Sequence, residues 1–293
     1  MSNLEISRAE RLDQYVIRQL PTLSRAAAVH LIDEGAVVVN GVAQLKAGYK
    51  LRPNDSIKID YHAELLPVLP QIELPIVFEN KDCVVINKPV GLLTHSKGAF
   101  NPEATVASWL GDHILAKSKP GVSLATGDRA GIVHRLDRAT SGVMICAKTP
   151  EALAWLQKQF SQRNVKKTYV AIVEGVLEQE QAIIDMPIER NPKKPQTFRV
   201  GPNGKAAQTE YRVLQTSNTL SLLELKPTTG RTHQLRVHLH HLGHPILGDS
   251  FYGGKPAERL FLHAQSLEVT LPNKQRKVFE VPVPQSFEDA MAA

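Results

Sequence analysis

The chain reads as an α+β protein: a small α/β module followed by a larger mixed domain with many strands. Three observations predict this. A length of 293 residues is enough for one large core plus a small appended domain. The first sixty residues carry a helix signal and a hairpin signal of their own. Beyond residue 75, strand-like apolar runs alternate with a few helices, without internal repeat or low-complexity tract.

In the first part, Ser24 is a candidate N-cap for the helix-permissive run RAAAVHLIDE, and Gly35 is its stop. AVVVN then reads as a strand, Asn40-Gly41 as a tight hairpin turn, and SIKID as a further short strand after Pro53, Asn54 and Asp55. Residues 61–75, with prolines at 67, 70 and 75, suggest an extended linker. The expected organisation is a module at 1–62, a linker at 63–75 and a main domain at 76–293. In that domain CVVIN, VMICA, TYVAIV and LSLLEL are the strand-like runs. One helix is well signalled: Thr149 caps it, Pro150 takes its first turn, and Leu153, Leu156 and Phe160 form its apolar stripe.

Composition narrows the class. A hydrophobic fraction of 42% and a charged fraction of 22% are ordinary for a soluble globular protein. No apolar run approaches the roughly 18 residues of a membrane-spanning helix, and the opening MSNLEISRAERLDQ does not resemble a secretory signal. Cys83 and Cys146 sit inside apolar runs and read as buried reduced thiols, which fits a cytoplasmic location. The net charge of +6 points toward a polyanionic partner. Residues 1–70 hold eight basic and eight acidic side chains, so the excess lies further on. It gathers at Lys158, Arg163, Lys166 and Lys167, then at Arg190, Lys193, Lys194, Arg199 and Lys205. By themselves such runs are read as solvated faces.

The pattern S-R-A-x-x-x-x-L-I-x-x-G-x-V-x-V-N-G resembles the S4 RNA-binding domain over about residues 12–60. The resemblance implies that Arg18, Arg25, Lys46, Lys50, Arg52 and Lys58 supply phosphate contacts, since their charges neutralise phosphate whatever the base.

The segment from Gly131 to Gly142 is a polar loop feeding the strand VMICA. It sets Asp137 among arginines, with Thr140, Ser141 and Gly142 available for a tight turn. Flanking cations favour the charged form of a carboxylate, as a nucleophile or base requires. On those facts alone a loop-pinning salt bridge is the simpler reading. However, His134-Arg135-Leu136-Asp137-x-x-Thr140-Ser141-Gly142 resembles the signature of the RluA-type pseudouridine synthases. So do Lys88-Pro89-Val90-Gly91, Lys167-Thr168-Tyr169, the run from Gly230 to His238, and Leu247-Gly248-Asp249.

That resemblance implies a mainly antiparallel catalytic sheet and an isomerase of uridine within RNA. Asp137 is then the catalytic carboxylate. Tyr169 stacks on the uracil and helps move its proton, while Arg236 pairs with Asp137. Leu247 completes the apolar wall around the base. Arg135 enters the RNA stack in place of the extruded nucleotide, and Arg231 is a further RNA-contacting group. Together with the S4-like module, the pattern resembles the large-subunit rRNA branch, with tRNA as the alternative target and an inert ribosome assembly factor as the alternative role. A monomer is the simpler expectation.

Pseudouridine forms when the N1–C1′ bond breaks, the uracil turns and C5 bonds to C1′. Nothing is gained, lost or oxidised, so no cofactor and no metal is expected. The carboxylate acts either at the sugar carbon or by removing a sugar proton, and the sequence leaves both routes open. A paired-carboxylate glycosidase is disfavoured, because no second acid stands out by pattern. The histidines at 233, 238, 240, 241 and 244 read as a helix from about Thr232 to Leu242, stopped by Gly243 and Pro245, with Leu235, Leu239 and Leu242 inward. The stretch from Gly127 to Gly131 is too short and irregular for a phosphate loop.

Overall fold

A computed structural model describes residues 10–20, 23, 25–61, 70–96, 103–117 and 131–292. Ser24, most of the proposed linker and residues 127–130 lie outside them. The chain divides into two compact units, one of residues 1–73 and 93–131, the other of 74–92 and 132–293.

In the first unit, α1 (Leu12–Gln19) and α2 (Arg25–Asp33) precede three short strands, β1 (Val37–Val39), β2 (Val42–Ala43) and β3 (Ile57–Ile59). β1 lies in the middle, antiparallel to both others. Leu12, Tyr15 and Val16 recur at helical spacing and pack with Ala28, Leu31, Ile32, Val37 and Leu51. Burying each large aliphatic of that group contributes about 1.5–3 kcal/mol. Asn40 and Gly41 both have positive φ, 51° and 81°, as a two-residue hairpin turn with the right twist demands. Residues 103–117 add α3 (Val106–Lys117), opened by a reciprocal pair: Ser108 N–H donates to Thr105 Oγ1 and Thr105 N–H to Ser108 Oγ.

The second unit is built on one nine-stranded sheet. Its strands are β4 (Ile76–Glu79), β5 (Cys83–Lys88), β6 (Ser141–Ala147), β7 (Lys166–Glu174), β8 (Gln181–Asp185), β11 (Gln208–Thr216), β12 (Leu220–Pro227), β13 (Leu262–Thr270) and β14 (Arg276–Glu280). The order is β4-β5-β6-β13-β7-β12-β11-β8, with β14 on β13. A separate hairpin pairs β9 (Ile188–Arg190) with β10 (Phe198–Val200). Three helices complete the unit: α4 (Pro150–Ser161), α5 (Gln234–His241) and α6 (Gln285–Ala292). Every pairing in the large sheet is antiparallel except that of β6 with β13.

That exception explains Gly142. The residue belongs to β6 at φ +121°, and a Cβ there would lie 2.2 Å from the Ala264 carbonyl oxygen of β13. The tight turn lies just before it, where Thr140 N–H donates to the Asp137 carbonyl at 3.0 Å. Ser141 and Gly142 are therefore strand residues, contrary to their sequence reading as turn formers. β6 is buried along its whole length, so it appears as a continuous apolar run. Cys83 and Cys146 are buried free thiols on adjacent strands.

α4 follows its signals: Thr149 Oγ1 accepts from Ala152 N–H at 3.2 Å, Pro150 opens the helix and Leu156 is fully buried. α5 starts two residues later than expected, because His233 sits in the left-handed region at φ 56° as its N-cap. Leu235 and Leu239 face inward, but Leu242 is 37% exposed and ends the helix. No helix of the described residues is long and apolar enough to cross a membrane.

Candidate active site

In the second unit, a cavity of about 560 Å³ opens where the 133–140 loop, α4, the start of β7, the 227–233 loop and α5 converge. Asp137, Arg135, Tyr169, Arg231 and Arg236 all line it. Among the described residues, five that line it are lysine or arginine and Asp137 is the sole acid, so the cavity suits a polyanion offered to one carboxylate.

Asp137 is held from behind by backbone. Its carbonyl accepts the Thr140 N–H, and the next residue is tied down twice. Gly91 N–H donates to the Arg138 carbonyl and Arg138 Nε to the Gly91 carbonyl, each at 2.9 Å. Lys88 lies beneath, fully buried, and donates to the carbonyls of Pro89, Leu92 and Arg138 at 2.8, 2.7 and 3.3 Å. Burial pushes the Lys88 ammonium down to about 7, against an opposing pull from Asp137. The Lys-Pro-Val-Gly motif is thus a clamp on the Asp137 loop, a role the sequence did not disclose.

The partner of Asp137 is Arg236, with Nη1 3.3 Å from Oδ2. Arg236 is itself fixed by Asp249, whose two oxygens accept from Nε and Nη2 at 2.7 Å each. Its guanidinium also lies over the rings of Tyr252 and Phe251, at 5.1 and 5.4 Å. Asp249 is thus a second acid at the site, although both its oxygens are committed to Arg236. Sequence reasoning quoted it only as part of a motif. Of the arginines flanking Asp137 in sequence, Arg138 turns to the Gly91 carbonyl, and Arg135 is exposed and lines the cavity. His233 Nε2 lies 3.8 Å from Asp137, and its Nδ1 is 2.8 Å from the Tyr252 hydroxyl.

Tyr169 enters from β7, between Leu225 and Ala264 on the neighbouring strands. Burial, with a smaller push from Asp137, raises its phenol well above the ordinary range, so it holds its proton at neutral pH. Two positions upstream, Lys167 donates to the Thr229 carbonyl at 2.9 Å, and burial lowers its ammonium to about 8. Gln234 fixes the same loop, accepting from Thr229 Oγ1 and Arg231 N–H while donating to the Gln208 carbonyl. Arg231 reaches the Ala206 carbonyl through Nε at 3.0 Å. On the opposite wall, His134 stacks on Phe160 with ring centroids 4.5 Å apart, and its Nε2 accepts the Ile145 N–H.

Leu247 is placed differently from its expectation. It packs half-buried against the core cluster that also receives Tyr169 and is not among the lining side chains, whereas Leu262 is. Two of the remaining histidines in this segment are engaged by hydrogen bonds. His238 bonds Thr209 Oγ1 and the Met186 carbonyl, and His244 bonds the Glu174 carbonyl. The described residues contain no group of three metal-ligating side chains. In the first unit, Lys46, Lys50, Arg52 and Lys58 are exposed, whereas Arg18 is engaged by Glu10 at 2.5 Å. The Arg25 side chain is outside the described residues.

Residues 82–241 match the RNA pseudouridylate synthase family, and residues 10–57 match the S4 domain. A protein of Aquifex aeolicus described as an uncharacterized RNA pseudouridine synthase is 38% identical, over 95% of this chain and 92% of its own length. The ribosomal large subunit pseudouridine synthase D of Haemophilus ducreyi is 35% identical, over 97% and 90%. Among solved structures, human RNA pseudouridylate synthase domain containing 4 superposes with a TM-score of 0.60 at 28% identity, over 74% of this chain and 92% of that one. A cationic cavity around one carboxylate, on a chain that also carries an S4 domain, suits an enzyme acting on RNA, and the matched family makes it an RNA-modifying isomerase. The chain belongs to the RNA pseudouridylate synthase family.

Proposed function

We propose that this enzyme isomerises uridine in large-subunit ribosomal RNA, with Asp137 as the carboxylate that acts on the ribose. One observation carries the assignment: among the described residues Asp137 is the only acid lining the cavity, and it lies 3.3 Å from an arginine that Asp249 immobilises. A carboxylate fixed in this way keeps its place while positive character develops at the sugar carbon or while a sugar proton leaves, and the geometry serves either route. Tyr169, a neutral phenol on a partly buried ring that lines the cavity, offers a face for the uracil. Leu262 and Phe160 give the cavity apolar surface that limits access of water to the cleaved sugar.

The target base must leave the helix, which costs a few kcal/mol, and Arg135 on the exposed rim fills its place in the stack. The exposed cations Lys46, Lys50, Arg52 and Lys58 of the S4 domain hold neighbouring phosphates. We assign that domain to residues 1–62, its linker to 63–75 and the catalytic domain to 76–293. Ribosomal RNA is favoured by the Haemophilus relative, whose name specifies the large ribosomal subunit. The enzyme is expected to act as a cytoplasmic monomer.

Mapping pseudouridines in RNA from a strain lacking the gene, beside its parent, tests the substrate. The reading expects one or more sites to vanish from large-subunit rRNA. Loss confined to tRNA, or no loss at all, overturns it.

A further inference from the structure

The strongest charge excess that the catalytic machinery leaves unused lies on the β9–β10 hairpin and its flanks. Between residues 187 and 205 stand Arg190, Lys193, Lys194, Arg199 and Lys205, against the single acid Glu189. Arg199 pairs with Glu189 at 2.7 Å, whereas Lys193 and Lys194 are exposed without an ion pair among the described residues. The loop that carries them is held in shape, since Asn191 Oδ1 accepts the backbone N–H of both lysines.

This hairpin adjoins the site. Phe198 of β10 meets His233, a cavity-lining residue, edge-on at 5.7 Å, and its N–H donates to the Tyr252 hydroxyl. The Arg190 guanidinium lies over the Phe198 ring, 5.4 Å from its centroid. Phe251 also lies near His233, with ring centroids 6.2 Å apart. Phe251 is 50% exposed although a guanidinium, that of Arg236, already lies against its ring. The hairpin that carries the lysines thus reaches, through Phe198 and His233, a half-bare phenyl ring at the rim of a cavity whose substrate carries one phosphate per nucleotide.

We propose that this rim binds the RNA strand flanking the target uridine, with Phe251 stacking on a neighbouring base and Lys193 and Lys194 holding its phosphates. The proposal rests on the RNA-modifying reading above. It adds a base platform outside the cavity that tolerates any sequence, because every base has a π face. An exposed aromatic edged by cations is the arrangement that single-stranded nucleic acid selects, since stacking and phosphate neutralisation act together.

The test uses the full chain and a fluorescent oligouridylate of about 12 nucleotides, within the range of about 4–16 that single-strand-binding domains cover. Phe251→Ala should weaken binding about tenfold and Phe251→Trp restore it. The double variant K193E/K194E should flatten the dependence of log affinity on log salt by about 1.4, two phosphates at about 0.7 each on a single strand. A 4-thiouridine version of the oligomer should crosslink to the peptide containing Phe251. Affinity of Phe251→Ala within twofold of wild type, an unchanged salt slope, or adducts confined to the S4 domain overturns the proposal. Because the probe is not the substrate, a failure of the ribosomal assignment leaves this result legible.

Discussion

Arg236 and Asp249 face one another in a buried two-point ion pair, with Nε and Nη2 each 2.7 Å from a carboxylate oxygen. This pair uses one edge of the guanidinium and leaves Nη1 for Asp137. Replacing Asp249 with Asn removes the compensating charge beneath a buried cation, an effect of about 3–5 kcal/mol. Chemical denaturation of Asp249→Asn should show a loss of that order, together with a fall in pseudouridine formation as Arg236 loses its seat. A variant as stable as wild type means that the Arg236 charge is balanced elsewhere.

Arg236→Lys tests the same geometry from the other side. An ammonium cannot make the paired contacts to Asp249 and still reach Asp137, so the change is not conservative here. Activity at saturating RNA should fall by at least about tenfold, and a rate near wild type contradicts the fork as the device that holds Asp137.

Gly142→Ala should be among the most damaging single-methyl changes in the chain. The added Cβ would stand 2.2 Å from one backbone atom of Ala264 and 2.6 Å from another, at a φ that side chains rarely adopt. Overpacking and backbone strain of this kind each cost about 1–3 kcal/mol. A denaturation midpoint unchanged from wild type would mean that β6 and β13 separate without cost.

Depressed imidazoles contribute to the acid limit, half-buried His134 and buried His263 most, with buried His238 shifted in the same direction. Burial lowers His134 to about 3 and His263 to about 4, with Arg259 adding to the second shift. Both folded values lie below the ordinary 6.5, so between them the unfolded chain binds more protons. Stability is therefore full above about pH 6.5 and declines as pH falls toward the folded values, by up to about 1.4 kcal/mol per unit for each group. Denaturation followed from about pH 7 down to 5 should show this decline. His134→Gln keeps an acceptor for the Ile145 N–H without the titration and should flatten it. An equally steep decline in that variant excludes His134 as a source.

Much of this was legible from residues alone, for identifiable reasons. Local chemistry declared itself: Thr149 and Pro150 opened α4, Asn40-Gly41 made the hairpin, and fully buried β6 read as an apolar run. β13 was not visible, although it lies between β6 and β7, because His263 and Gln265 interrupt its apolar pattern. β11 was hidden by its exposed Glu210 and Arg212. At the site, ordered motifs led to Asp137, Tyr169, Arg231 and Arg236, which line one cavity. What sequence spacing does not carry is pairing across the fold. Asp249 beneath Arg236 and Lys88 beneath Arg138 depend on which loops meet. Leu247 was expected in the cavity wall, but β7 takes its backbone N–H through Ile172, and its side chain packs on the core.

The central claim is that one carboxylate in this cavity does the chemistry. It is tested most directly by assaying purified Asp137→Asn for pseudouridine in unmodified large-subunit rRNA, beside wild type, with RNA affinity and thermal unfolding measured on both. Asn fills the same space without the negative charge, so turnover should vanish while binding and folding stay near wild type. Pseudouridine formed at the wild-type rate by that variant would contradict the account.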